Sequence, residues 1–114
     1  MKRRNYLERN QQRLFYSLAE LERLTGLNRR RIYSLERMGF IRAKMRNGRR
    51  LYGSEALERL LDFRVLLEEY PAEVIVRSYE ELKLTAKLKR YRNGLIRIRN
   101  RIRRFLKEMG WEDA

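Results

Sequence analysis

The last third of the chain carries apolar residues at alternating intervals of four and three residues, over more than three heptads. This period is that of the buried seam of an α-helical coiled coil, so the segment should form a helix and bury one side of it. The pattern predicts one helical stretch from about residue 72 to residue 109, after a break at Pro71 and with a weak point at Gly94. We assign the seam to dimerisation, and its residues are Leu84, Leu88, Tyr91, Leu95, Ile98, Ile102, Phe105 and Met109.

The flanks of this seam are strongly basic. Residues 83–107 include eleven basic residues and no acidic residue. In a parallel homodimer, Lys87 and Arg101 would face Arg92 and Arg99 of the other chain, where like charges repel. Three other arrangements remain open: antiparallel pairing over part of the length, packing on an acidic helix of the other chain, and neutralisation by nucleic acid or by an acidic protein. A basic amphipathic helix can also lie on an anionic membrane surface.

Composition narrows the function classes. The 114 residues include 29 Lys and Arg against 15 Asp and Glu, a net charge of +14, which attracts polyanions and makes double-stranded DNA the first partner to consider. The chain has no cysteine and no histidine, so we expect no disulfide, no metal, no cofactor and no enzyme activity. We expect no membrane span and a cytoplasmic, nucleoid-associated protein, because no apolar run is long enough and no signal peptide is recognisable.

Two short helices are predicted before this stretch. Ser17 and Glu20 form a capping box at the start of a helix over residues 17–24, and Gly26 ends that helix. Asn28 caps a second helix over residues 29–38, whose first turn holds three consecutive arginines. Helices joined by a short glycine-containing turn are typical of a helix-turn-helix.

A basic hairpin follows Gly39, the glycine that closes the second helix. The β-prone pieces "FI" and "RLY" flank Asn47-Gly48, a strong turn signal because both residues tolerate positive φ. The hairpin contains five basic residues and no acid, as expected for the wing of a winged helix. After it, Ser54 is predicted to cap a third, acidic helix over residues 55–70.

The segment from Tyr16 to about Leu61 resembles the DNA-binding domain of the MerR (mercury-resistance regulator) family. The resemblance lies in "YSLAELERLTGL", "RIYSLERMGFI" and "NGRRLYGSEALERL". It implies a mainly α fold: a winged helix-turn-helix with a small β-hairpin wing, followed by a long C-terminal coiled-coil helix. It also implies a short member without an effector domain. The residues that match the family pattern are Tyr16, Glu20, Leu21, Thr25, Gly26, Glu36, Arg37, Gly39, Ile41, Gly48, Arg50 and Tyr52.

The second helix departs from the family pattern. Where MerR-like proteins usually have Thr-Leu-Arg-Tyr-Tyr, this chain has "RIYSL", so Tyr33 and Ser34 replace the Arg and first Tyr that hold phosphates. Both can still donate a hydrogen bond to a phosphate, but neither supplies a charge. We expect the arginines of the first turn to supply it, and only one or two of them to reach bases, since each residue turns the helix by about 100°.

These features together predict a sequence-specific, dimeric transcriptional regulator that reads the major groove with its second helix and the backbone or minor groove with its wing. For Arg50, Tyr52 and Tyr16, a packing role is an open alternative. The expected DNA-binding residues are Tyr16, Asn28, Arg29, Arg30, Arg31, Tyr33, Ser34, Arg37, Arg42, Lys44, Arg46, Arg49, Arg50 and Tyr52.

The predicted organisation is a basic N-terminal arm (1–15), a winged helix-turn-helix domain (16–70) and a basic amphipathic helix for dimerisation or interaction (71–114). Two other functions fit the same features. One is an architectural, excision or packaging protein of a phage, plasmid or chromosome. The other is a DNA-tethered adaptor that recruits an acidic protein through its C-terminal helix.

Overall fold

The computed structural model describes residues 15–111, so the predicted N-terminal arm lies outside the described residues except for Phe15. The described part is mainly helical, with one small antiparallel sheet. This confirms the predicted fold class of a winged helix-turn-helix followed by a long helix. In chain order the elements are β1 (Phe15–Tyr16), α1 (Leu18–Thr25), α2 (Arg29–Arg37), β2 (Ala43–Arg46), β3 (Arg49–Gly53), α3 (Ser54–Leu66), α4 (Ala72–Arg77) and α5 (Tyr79–Glu108).

The capping box at the start of α1 is confirmed. The backbone N–H of Glu20 donates to the Ser17 hydroxyl at 3.2 Å, and the Glu20 carboxylate accepts from the backbone N–H of Ser17 at 2.9 Å. This backbone N–H, with the Ser17 hydroxyl, lowers the pKa of Glu20. Gly26 ends α1 in the left-handed region at φ 73°, and a Cβ there would lie 2.8 Å from the Arg64 guanidinium. Glycine is therefore favoured at this turn by its left-handed backbone, and a side chain there would also require the Arg64 guanidinium to shift.

The turn between α1 and α2 is fixed by side chains. The buried Thr25 hydroxyl donates to the Leu21 carbonyl at 2.6 Å and accepts from the backbone N–H of Leu27 at 3.1 Å. Asn28 caps α2 as predicted, because its side-chain oxygen accepts from the backbone N–H of Arg31 at 2.8 Å. The entry to α2 is therefore held by local hydrogen bonds.

The wing is part of a three-stranded antiparallel sheet in the order β1-β3-β2. The predicted hairpin turn is confirmed, with Asn47 at φ 52° and Gly48 at φ 73°. The "RLY" piece lies in β3, but "FI" is not a strand: Phe40 and Ile41 are buried in the core, and β2 begins at Ala43. The two-residue strand β1 was not predicted, since two residues carry no alternation that a sequence pattern could reveal.

Two other predictions about helix ends are wrong. Ser54 is the first residue of α3, and its N-cap is Gly53, with no side-chain hydrogen bond at the cap. The helical stretch from residue 72 to residue 109 is split into α4 and α5 at Ser78, and Pro71 is the N-cap of α4. Neither proline nor glycine marks this break, and the heptad pattern begins only at Leu84, so periodicity could not distinguish one helix from two.

One core joins all these elements. Phe40, which follows α2, packs its ring against Phe63 of α3 at 5.8 Å between centroids and edge-on against Tyr79 of α5 at 5.0 Å. Edge-to-face pairs of this kind add to the energy of area burial. The fully buried apolar side chains are Leu21, Ile32, Leu35, Tyr52, Leu60, Phe63, Leu66, Ile75 and Ala86.

A buried carboxylate attaches α5 to this core. Asp62 of α3 is 0% exposed, and its oxygens accept from the Tyr79 hydroxyl at 2.6 Å and from the Arg90 guanidinium at 2.8 Å. Burial, together with the hydrogen bond to Asp62, raises the pKa of Tyr79. Because a buried carboxylate needs these donors, Asp62 sets the position of α5 at two points separated by three helical turns.

We expect Asp62→Ala to lower the free energy of unfolding by about 3 kcal/mol, because it leaves the buried Tyr79 hydroxyl without an acceptor and Arg90 with fewer partners. Urea denaturation followed by circular dichroism measures this. Glu58→Ala is the matched control, since Glu58 also pairs with Arg90 but is about half exposed; its expected loss is below about 1 kcal/mol. Equal losses in the two variants would contradict a special role for the buried carboxylate.

The raised pKa of Tyr79 predicts a loss of stability in alkali. The unfolded chain ionises this phenol near pH 10, whereas the folded protein keeps it protonated. The stabilisation is complete below about pH 10 and falls above it by up to about 1.4 kcal/mol per pH unit for this group. Denaturation at pH 8 to 11 should show a shallower decline for Tyr79→Phe than for the unsubstituted protein. The same slope in both proteins would show that Tyr79 does not resist ionisation.

Candidate nucleic-acid interface

The outward side of α2 is polar and basic. Ile32 and Leu35 are fully buried, so they define the inward side of the helix. With about 100° per residue, Arg30, Ser34 and Arg37 lie on the opposite side, at intervals of four and three residues. Both arginines are exposed and Ser34 is partly exposed. This side of α2 can therefore present two guanidinium groups and a hydroxyl to a ligand.

The three consecutive arginines at the start of α2 have different surroundings. The Arg29 guanidinium donates to the Glu22 carboxylate of α1 at 3.2 Å. The Arg31 guanidinium lies over the Phe63 ring, 5.6 Å from its centroid, on the side of α3. Within residues 15–111, Arg30 makes neither an ion pair nor such a stacking contact. Arg30 is thus the member of the three that is most available for a ligand.

Glu36 connects α2 to the wing. Its carboxylate accepts from the Tyr52 hydroxyl at 2.7 Å and pairs with the Arg50 guanidinium at 3.3 Å. Arg50 also lies over the Tyr33 ring, 5.7 Å from its centroid. These contacts join the second helix, the wing and the core into one unit.

Tyr52 belongs to the core. Its side chain is fully buried, and burial, with the hydrogen bond to Glu36, raises its pKa. Its hydroxyl group donates its proton to Glu36. Tyr52 therefore has a packing role, and it is not part of the candidate interface. Sequence reasoning missed Glu36 as a positioning residue, although it is the only acid in "RRRIYSLER", and an isolated acid beside many arginines was a usable signal.

The wing has two different sides. Alternation along the strands and the register Arg46↔Arg49 and Lys44↔Leu51 place Lys44, Arg46 and Arg49 on one side. Arg50 lies on the other side, with its guanidinium directed to Glu36 of α2. All the basic side chains of the hairpin are exposed, Arg42 included. The free side of the wing is thus a cluster of cations with no acid in the hairpin.

Phe15 supports this cluster from β1. The Arg46 guanidinium lies 4.9 Å from the centroid of its ring, and the Lys44 ammonium lies 5.4 Å from it. Cation–π contacts restrict the two side chains while leaving their donors open to solvent. The neighbouring Tyr16, an expected DNA-binding residue, is partly buried and packs against the core, and Asn28 is exposed but uses its oxygen for the cap of α2.

The predicted dimerisation seam lies on the outside of the described chain. Its eight side chains are 49–69% exposed. The opposite side of α5 packs on the core through Tyr79, Leu82 and Ala86. Because these two sides of one helix point in opposite directions, the apolar seam is directed away from the domain to which the helix is attached.

The arrangement suits the binding of a polyanion. Guanidinium groups bind phosphates in a bidentate manner, and they recognise guanine edges in the major groove. Among residues 15–111, no cluster of acidic side chains is arranged to hold a metal ion. In the same part of the chain, no helix has the length and apolar character needed to cross a membrane.

Comparison with known proteins agrees with this geometry. Residues 16–70 match the family model described as the MerR HTH family regulatory protein. No curated protein and no solved structure matches the chain. The matched segment includes both helices of the helix-turn-helix, the wing and α3, and the family is one of DNA-binding regulators rather than of enzymes. Residues 16–70 are therefore a MerR-type helix-turn-helix DNA-binding domain, as the resemblance of their sequence predicted.

Proposed function

We propose that the protein is a homodimeric transcriptional regulator that binds a specific site in double-stranded DNA. The observation that carries the proposal is the outward side of α2 within a MerR-type domain, where Arg30, Ser34 and Arg37 are directed away from the buried Ile32 and Leu35. In helix-turn-helix proteins the second helix enters the major groove with its first turns against base edges. In this proposal Arg30 reads a base, and Ser34 and Arg37 contact bases or phosphates deeper along the helix.

The wing supplies contacts that depend less on sequence. The hairpin follows α2 directly and carries four exposed cations, Arg42, Lys44, Arg46 and Arg49. They are proposed to hold phosphates or to enter the minor groove, which gives affinity and register rather than base discrimination.

Four other candidates are given secondary roles in this proposal. Arg50 and Tyr33 stack on each other beside the link through Glu36, so they set the angle between wing and helix and can add a phosphate contact. Arg29 and Arg31 are directed to the neighbouring helices, so they contact DNA only at the margin of the interface.

An antiparallel pair of α5 helices fits the seam along its whole length. When the seam is reversed about the point between residues 96 and 97, every seam residue meets another seam residue. The fit joins positions a and d, as in antiparallel coiled coils. The four kinds of pair are Leu84 with Met109, Leu88 with Phe105, Tyr91 with Ile102, and Leu95 with Ile98.

The charges flanking the seam also favour this orientation. In the antiparallel register Lys87 faces Glu108 of the partner, an attractive pair, and Gly94 faces Arg101 of the partner without a charge conflict. The remaining like-charge contact is Arg92 with Arg99 of the partner. The parallel arrangement, in contrast, offers no attractive flanking pair, so we propose the antiparallel dimer.

The first test is footprinting on the DNA upstream of the gene for this protein, with the unsubstituted chain and with Arg30→Ala. We expect a short palindromic footprint. Arg30→Ala should weaken binding to that site about tenfold or more, because a bidentate contact to guanine discriminates by about 1–3 kcal/mol. Its effect on a duplex of unrelated sequence should be much smaller.

The matched control is Arg29→Ala, which removes the same charge one residue away, from a side chain paired with Glu22. We expect it to affect specific binding clearly less than Arg30→Ala. Equal losses on specific and unrelated DNA would mean that Arg30 contacts only phosphate. Uniform binding to every duplex would contradict sequence-specific regulation and favour an architectural protein.

The dimer is tested by cysteine cross-linking, for which the chain is suited because it has no native cysteine. We expect Leu88→Cys and Phe105→Cys to form a mixed disulfide when the two variants are exchanged and oxidised together. Neither should cross-link to itself, because in the antiparallel register the two copies of position 88 are 17 residues apart along the helices, about 25 Å. Cross-linking of each single variant to itself would indicate a parallel dimer, and a monomer in sedimentation would contradict dimerisation altogether.

A further inference from the structure

The basic residues of α5 fall into two groups that differ in their partners. In the first half of the helix, Lys89 pairs with Glu69 at 2.6 Å and Arg90 pairs with Asp62 at 2.8 Å. Lys87 lies 3.6 Å from Glu58. The acids of α3 and of the turn after it therefore neutralise the first half of α5 within the same chain.

The second half of α5 has no such compensation. Six basic residues lie between residues 97 and 107 without any acid, and all six are exposed. In the part of the chain that the structure describes, none of the six makes an ion pair. They are Arg97, Arg99, Arg101, Arg103, Arg104 and Lys107.

Part of this group lies on the side of α5 opposite the seam. Helical geometry places Arg97, Asn100, Arg103, Arg104 and Lys107 there, which we call the basic face, and Ile96 lies on the same side at its start. In the first half of the helix the same side packs on the core through Ala86, but from Leu95 onward nearly every residue is exposed, so the helix extends beyond the domain. Burial of the seam in a dimer would leave the basic face accessible.

We propose that the basic face is a second DNA-binding surface, which holds the phosphate backbone of a duplex segment other than the one bound by the winged helix. Its four cations extend over about 15 Å of helix. Duplex DNA carries one charge for about every 1.7 Å of its axis, so such a row meets several phosphates. Three of the four cations are arginines, which bind phosphate oxygens in pairs.

The composition of the face favours a phosphate backbone over an acidic protein. Protein interfaces rely on apolar and aromatic anchors in a dehydrated centre. The basic face consists of charged and amide side chains with Ile96 as an apolar neighbour, and the other apolar residues of this part of α5 are mainly on the seam. A surface that is charged, exposed and free of anchors suits sequence-independent contact with DNA.

The inference of a second segment rests on the antiparallel dimer proposed above. In that dimer, the second half of one α5 lies along the first half of the other. The winged domain of the partner packs on the outer side of the partner helix, away from the seam. The basic face lies on the outer side of the first helix, so it points in the opposite direction. At each end of the coiled coil, the winged domain of one chain and the basic face of the other chain therefore lie on opposite sides of the helix pair.

The test is a bridging assay with the full-length protein. An unrelated duplex is immobilised, a labelled duplex carrying the footprinted site is added with the protein, and the retained label is measured against salt concentration. We expect the unsubstituted protein to retain the label. Arg104→Gln with Lys107→Gln should lower the salt dependence of binding to the unrelated duplex by about 2 in the slope of log K against log salt, because each lost phosphate contact removes about 0.9. Retention should fall while the footprint stays unchanged.

The matched control is Arg77→Gln with Lys83→Gln, which also removes one arginine and one lysine, both exposed and outside the basic face. It should bridge as the unsubstituted protein does. Bridging that survives Arg104→Gln with Lys107→Gln, or that falls equally in the control, overturns the proposal. The proposal is also overturned if Arg104 and Lys107 bind phosphatidylglycerol vesicles or polyglutamate but do not bind DNA.

The result is separable from that of the proposed function. If no sequence gives a footprint, sequence-specific regulation is wrong, and bridging is then measured between two unrelated duplexes. The proposal of two DNA segments requires a dimer. If the protein sediments as a monomer, that proposal is overturned, even where footprinting succeeds.

Discussion

The buried carboxylate of Asp62 is the interaction on which the rest of the arrangement depends. It is reached by the Tyr79 hydroxyl and the Arg90 guanidinium, so it connects the third helix with the long helix at two separate points. A long helix held at only one point could rotate about it. Held at two, α5 keeps Ala86 against the core and its apolar seam outward. The position of the seam thus depends on this buried charge and its donors, together with the packing of Leu82 and Ala86 on the core.

The same use of acids recurs and explains where the net charge of +14 is concentrated. Glu36 holds the wing to α2, Glu22 holds Arg29, and Glu69 holds Lys89. Acids therefore lie mostly at junctions between elements, where they neutralise nearby cations. Most of the exposed basic side chains that make no ion pair among the described residues are grouped on the outward side of α2, the free side of the wing and the second half of α5, while Arg23, Arg77, Lys83 and Arg92 lie elsewhere. The fold thus concentrates most of the excess positive charge of the chain on three basic surfaces.

Local signals in the sequence were sufficient for what local interactions decide. The capping box at Ser17, the cap at Asn28 and the turn at Asn47 are each settled by residues within four positions, and all were predicted. Long-range contacts decide the rest. Strand β1 exists because it pairs with β3, and the break at Ser78 has no residue that marks it. The burial of Tyr52 and the separate surroundings of the three arginines likewise depend on neighbours distant in sequence, so sequence alone left them as alternatives.

The basic flanks of α5 are costly for a coiled coil, and this cost has a physical consequence for the proposed dimer. The basic residues in the second half of each helix repel the cations of the partner helix, and this repulsion weakens pairing when no polyanion is present. A phosphate backbone on the basic face would lower the net positive charge of this half of the helix and so reduce that repulsion, and DNA would stabilise the dimer. By linkage, the dimer would bind DNA more tightly than the monomer by the same free energy. Under this scheme the charges that oppose dimerisation in free solution make assembly dependent on DNA, which is a property that a neutral coiled coil could not provide.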